Sequence, residues 1–264
     1  MFVTRFIRPI LTGVLLIAAG PALAINVERV KTPGGLEAWL VQDNSNPIVT
    51  MRFAFRGGAA LDPKGKVGLA NLVASTMDEG AGNLDSQSFQ KTLEDKAIRI
   101  RFDAGMDNFG GQLQTLVRNQ DKAFDLLRLA LNAPRFDTEP VERIRSQILV
   151  GLKQDEESPH SIAGKAMREA LYGGHPYGRP ADGIPDSVKA ITADDLHAFV
   201  SQRLTRDTLV IGVVGSIAPV ELAELLDATF GTLPAQGTDW RVPKVRANTD
   251  GRTIVIDKDV PQSA

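Results

Sequence analysis

Asn71 and Ser75 stand four residues apart in the stretch GLANLVASTMDEGAG, with Ala74 between them. The stretch reads as a short helix: Leu69, Leu72, Val73 and Thr76 form one stripe, and Gly80 and Gly82 supply a C-terminal stop. Residues four apart on a helix share a face, one turn from each other. Filled as His-x-x-Glu-His, that face would hold zinc between two imidazoles and set a carboxylate beside it as general base. The residues present cannot do this work. The Asn71 amide is a poor zinc ligand, the neutral Ser75 hydroxyl a weak one, and Ala74 accepts no proton.

Other candidate chemistry is sparse. The histidines are His160, His175 and His197, and no two have i, i+4 spacing. There is no cysteine, so zinc sites built on thiolates are excluded. Asp155, Glu156 and Glu157 form an acidic run at a helix end, a pattern that reads as a solvated face before it reads as a metal or acid–base site. Asp78 and Glu79 are the carboxylates nearest the Asn71–Ser75 face, and without histidine partners they do not make a peptidase site.

The 264-residue chain begins MFVTRFIRPILTGVLLIAAGPALA, with Arg5 and Arg8 before a short apolar run and Ala22-Leu23-Ala24 as a cleavage site. Residues 1–24 therefore read as a secretory signal peptide, too short in its apolar part to span a bilayer comfortably. The expected compartment, after export across the inner membrane, is the periplasm. The formal charge is −2, and loss of a leader holding two arginines and no acid takes it to −4. Nothing in that balance points to nucleic acid or an anionic membrane surface as a partner. An exported chain without disulfides must rely on its core, and this chain is long enough to build one.

The elements that must position these residues follow from periodicity. Val27 to Val30, Leu36 to Val41 and Ile48 to Phe55 read as strands. After the organising helix comes a second one from Asp85 or Ser86 to about Lys96. A hairpin then runs from Ala97 to Val117, with its turn at Gly105 to Asp107. Helices follow over Asn119 to Asn132, from Asp137 through Gly151, and from Ser158 to Tyr172. Thr192 and Asp195 form a capping box for a helix to Leu204, Leu209 to Val214 is a buried strand, and Pro219 to Phe230 is a helix. This order predicts an α+β fold, a largely antiparallel sheet flanked by helices. The domain expected covers residues 25–240, with 241–264 a linker and Thr253 to Ile256 the first strand of a following domain, which makes the chain look truncated.

FRGGAALDPKGKVGLANLVASTMDEGAG resembles the insulinase (pitrilysin, mitochondrial processing peptidase) family, in which a similar Gly-rich turn leads into G-L-A-H-x-x-E-H-M. QILVGLKQDEESP resembles the family segment that carries a third zinc ligand, a glutamate, and Gly151 stands in its place. The segment from GGHPYGRPADG to Gly231 resembles the family's H-P-Y-G-R-P region, which makes His175 a loop-shaping residue. The resemblance thus implies a degenerate site at Asn71, Ala74, Ser75 and Gly151, with no catalytic residue and no metal ligand in this chain. The other reading of Gly151 is a packing glycine where two helices cross closely.

Family subunits pair two such domains, and two halves enclose a chamber for peptides, only one of them carrying zinc. The resemblance therefore implies a non-catalytic subunit with no cofactor of its own, partnered by an active zinc peptidase of the same family. It also implies that the strand after the second helix pairs with extended peptide. Ala104, Gly105, Met106, Asp107, Asn108 and Phe109 are the candidate contacts, with an ordinary hairpin turn as the alternative. Two further readings stay open: a peptide-holding or assembly module with no peptidase partner, and a working peptidase with an unorthodox site.

Overall fold

Side-chain alternation builds the sheet. The strands are β1 (Glu28–Lys31), β2 (Glu37–Gln42), β3 (Ile48–Arg56), β4 (Arg99–Ala104), β5 (Asn108–Leu116) and β6 (Leu209–Gly215). In β3 the buried positions are Val49, Met51, Phe53 and Phe55, and in β4 the inward side chains are Ile100 and Phe102. The computed structural model describes residues 26–257, so the leader expected at residues 1–24 lies outside the described residues, as do those from 258 on. The sheet runs β1-β2-β6-β3-β5-β4. Every pairing is antiparallel except β2 with β6, where Ala38 faces Ile211 and Gln42 faces Gly215.

The helices are α1 (Leu69–Thr76), α2 (Ser86–Asp95), α3 (Gln120–Asn132), α4 (Thr138–Asp155), α5 (Pro159–Tyr172), α6 (Pro185–Ala190), α7 (Ala193–Arg203) and α8 (Pro219–Phe230). α1, α2, α3, α7 and α8 send Leu72, Phe89, Leu127, Phe199 and Leu226 into one core against the sheet. Phe53 lies at its middle, edge-on to Phe55, Phe102 and Phe230 at centroid distances of 6.1, 6.1 and 5.6 Å. The opposite face of the sheet carries exposed side chains such as Trp39, Arg52 and Arg101. The α+β architecture expected from the sequence is the one observed.

Several local expectations shift. α1 ends at Thr76, and a turn from Met77 to Glu79 leads to Gly80. Asp137 stands at the N-cap of α4, yet its carboxylate is taken by Arg135 at 2.6 Å and caps nothing. α6, in the loop after Tyr172, is six residues long and too short to show helical periodicity. Residues 253–256 form no strand: among the described residues no strand lies beside them, and Ile254 and Ile256 border a groove along α5 instead.

One buried carboxylate fixes where α1 begins. Asp62 is 3% exposed and accepts from Gly68 N–H at 3.0 Å and Ala70 N–H at 3.3 Å, satisfying free donors at the N-terminus of α1. Gly68 has φ +100°, and a Cβ there would meet Gly183 Cα at 2.8 Å, so glycine is required on both counts. Arg203, at the end of α7, reaches Asp62 Oδ1 at 3.4 Å and donates to Leu61 O at 2.7 Å. Arg179 donates to Asp62 O at 2.8 Å and Ala60 O at 2.7 Å. Burial pushes the Asp62 carboxyl up to about 6, against the pull of Arg203, the two amides and Arg179. Asp62→Ala would leave Arg203 buried without its counter-charge, and is expected to cost about 3 kcal/mol or more of unfolding free energy. Urea denaturation measures this, and a loss below about 1 kcal/mol would show that the ion pair does not organise the helix.

Candidate functional site

α1 presents its polar positions as the sequence spacing requires. Asn71 and Ser75 are half-buried, one turn apart on one face, while Ala74 is 5% exposed within the core. Gly151 lies in the interior of α4, which packs against α1. A Cβ added at Gly151 would meet nothing within 4 Å. The close-crossing explanation of this glycine therefore fails. The position has room for a side chain and lacks one, at a cost of about 1 kcal/mol against alanine in a helix interior.

The carboxylates near this face are used structurally. Glu79 accepts from Ser86 Oγ and from Arg143 Nη2 at 2.6 Å, so it ties the end of α1 to α4. Burial, with Glu79 nearby, pushes the Asp78 carboxyl up to about 6. Among the described residues, no group of three or more His, Cys, Asp or Glu could hold a metal ion. An amide, a methyl, a hydroxyl and a glycine do not supply the nitrogen, sulfur or carboxylate donors that zinc takes. The residues present at the four positions do not fit the ion.

His175 shapes a loop, as the resemblance implies. Its Nδ1 accepts from Tyr177 N–H at 3.2 Å, so Nε2 carries the proton and donates to Pro243 O at 2.9 Å. His160 and His197 are exposed, and Asp155, Glu156 and Glu157 are exposed together at the end of α4.

The candidate peptide-contact segment falls on three different elements. Ala104 ends β4, Gly105 to Asp107 form the turn, and Asn108 and Phe109 begin β5, which is interior to the sheet. The turn's carbonyls are already bonded: Asp107 O to Gly57 N–H at 2.7 Å, Gly105 O to Ala59 N–H at 2.9 Å, and Met106 O to Ala60 N–H at 3.0 Å. A Cβ at Gly58 would lie 2.1 Å from Gly105 O, so the two segments meet backbone to backbone. Tyr177 Oη donates to Asp107 Oδ1 at 2.6 Å. The turn is thus clamped from both sides, and the backbone left unpaired is the outer edge of β4, Arg99–Ala104. Sequence reasoning missed this edge because a hairpin does not reveal which of its strands ends the sheet. It also missed Asp62, Arg179 and Arg203, for which the only local signal is an aspartate six residues before a glycine that opens a helix.

Comparison with known proteins agrees with the geometry. Residues 38–183, more than half of the chain, match the family described as insulinase (peptidase family M16), and residues 190–264 match the peptidase M16 inactive domain. A protein of Helicobacter pylori named non-peptidase homolog YmxG is 26% identical over 260 residues, which is 98% of this chain and 59% of that protein. An uncharacterized zinc protease of Mycobacterium leprae is 27% identical over 184 residues, 63% of this chain and 41% of that one. The crystal structure of a peptidase M16 inactive domain from Pseudomonas fluorescens superposes with a TM-score of 0.78 at 24% identity, covering 83% of this chain and 53% of that one. This chain spans about half the length of these relatives. A family profile running over most of the sheet, on a fold kept in order from β1 to α8, places the chain in the insulinase family.

Proposed function

We infer that this chain is the non-catalytic subunit of an exported, two-subunit zinc peptidase of the insulinase family. The observation that carries the reading is an intact scaffold with a blank face. α1 is still capped by Asp62 and still tied to α4 through Glu79 and Arg143, yet it presents Asn71, Ala74 and Ser75, and α4 carries Gly151. The names of two similar proteins, one a non-peptidase homolog and one an inactive domain, support it. The leader read at residues 1–24 supports export, with the periplasm as the compartment. In this division of labour the partner supplies the metal and its bound hydroxide, and this chain supplies a chamber wall. It also supplies the outer edge of β4 for main-chain pairing with an extended peptide.

The purified full-length protein is expected to hold no stoichiometric zinc and to cleave no unstructured peptide alone. Cleavage is expected when it is mixed with a family subunit that retains H-x-x-E-H, sought first in the adjacent reading frame. Tight zinc at one equivalent with chelator-sensitive cleavage overturns the reading. Failure to associate with any such subunit removes the partner role.

The blank face can be refilled. In the triple variant Asn71→His, Ser75→His, Gly151→Glu, two imidazoles and a carboxylate would supply three ligands. Ala74 is left alone because a glutamate there would be buried. Calorimetric zinc titration is expected to show tighter binding than the parent's, with folding checked by circular dichroism. A folded variant with no gain means that the three positions do not converge.

A further inference from the structure

The solvent face of β4 carries an unusual set of charges for an acidic protein. Arg99, Arg101 and Asp103 are its outward, exposed residues. The neighbouring positions across the sheet are uncharged: Gln114 pairs with Arg99, and Gln112 pairs with Arg101 on one side and Arg52 on the other. Arg52 donates to Gln112 Oε1 at 3.1 Å. Among the described residues, none of these three arginines forms an ion pair with a carboxylate. A cleft of about 570 Å³ runs beside the start of β4, and Arg99 and Arg101 line it together with Gln90, Asp78 and Glu94. Asp78 lines the same cleft, and the charge of Arg101 lowers its carboxyl pKa in part against the larger effect of burial.

Charges on an edge strand often serve only to discourage pairing with other chains. Two features separate this edge from that use. Its cations are arginines, whose planar fork matches a carboxylate with two parallel hydrogen bonds. They also sit two apart on one face, the spacing at which a strand added to the edge would present alternate side chains directly opposite them.

We propose that the β4 edge selects acidic peptides, the carboxylates of alternate peptide residues meeting Arg99 and Arg101. Asp103, next along the same face, disfavours a third acid in line. The proposal rests on the reading of β4 as the peptide edge and adds the class of peptide it takes.

The test uses full-length protein and three unstructured probe peptides of about nine residues, enough to span the strand. They carry glutamate, glutamine or lysine at the same two alternate positions and are followed by fluorescence anisotropy. The glutamate peptide is expected to bind about tenfold tighter than the glutamine peptide at low salt, and the lysine peptide weakest. The gap should shrink as salt is raised. The double variant Arg99→Gln, Arg101→Gln should bring the three affinities together while keeping the glutamine peptide's own. Arg29→Gln, on β1 at the far end of the sheet, should keep the glutamate preference. Equal binding of all three peptides by the parent overturns the charge selection and leaves the edge reading standing. Binding of none overturns both. A preference that survives in the double variant, or is lost in Arg29→Gln, assigns it to another surface and overturns the proposal.

Discussion

The Asp62 carboxylate is where three distant parts of the chain meet. It closes the N-terminus of α1, balances Arg203 from α7, and belongs to a segment whose carbonyls hold Arg179. Each contact is modest alone. Together they remove from solvent a charge that is tolerable only while all its partners are in place. The junction thus anchors the N-terminus of α1, the helix that packs against α4. The same loop that brings Arg179 also brings Tyr177 onto Asp107. One network therefore holds both the start of α1 and the turn at the end of β4.

Much of the fold was legible because it is local. The Thr192–Asp195 capping box is formed in both directions, Asp85 accepts from Ser88 N–H at 2.8 Å, and Ile100 and Phe102 face inward as their alternation requires. What was illegible depends on residues far apart. β6 lies parallel to β2 although most of the chain separates them, and no pattern inside either strand announces that pairing. Asp62 looks like any turn aspartate until Arg179 and Arg203 arrive. Asp137 shows the reverse error, since Arg135, two residues away, captured a carboxylate that had every appearance of a cap. The candidate site divides in the same way. Asn71 and Ser75 could be placed on one helical face from spacing alone, but the free edge of the sheet could not be placed without the strand order.

The helix that carries Asn71, Ala74 and Ser75 is firmly anchored. Leu69, Leu72 and Val73 remain buried, Thr76 Oγ donates back to Leu72 O at 2.7 Å, and Glu79 holds Arg143 on the facing helix. These contacts fix the backbone of α1 beside α4 independently of the side chains at positions 71, 74 and 75. Gly151 is an open position in the interior of α4, where an added Cβ would meet nothing within 4 Å.

The place of β6 in the sheet has a consequence for how the chain comes together in time. β2 and β3 follow each other in sequence with a short connection, yet they never pair, because β6 occupies the gap between them. A chain emerging from its N-terminus presents both strands, and then the β4–β5 hairpin, long before Leu209–Gly215 is available to join them. Until then two strand edges stand open and the phenylalanine cluster around Phe53 lacks Phe230. Closure of the sheet is consequently a late event of high contact order. Its first part must be kept from pairing with other chains until its last third arrives.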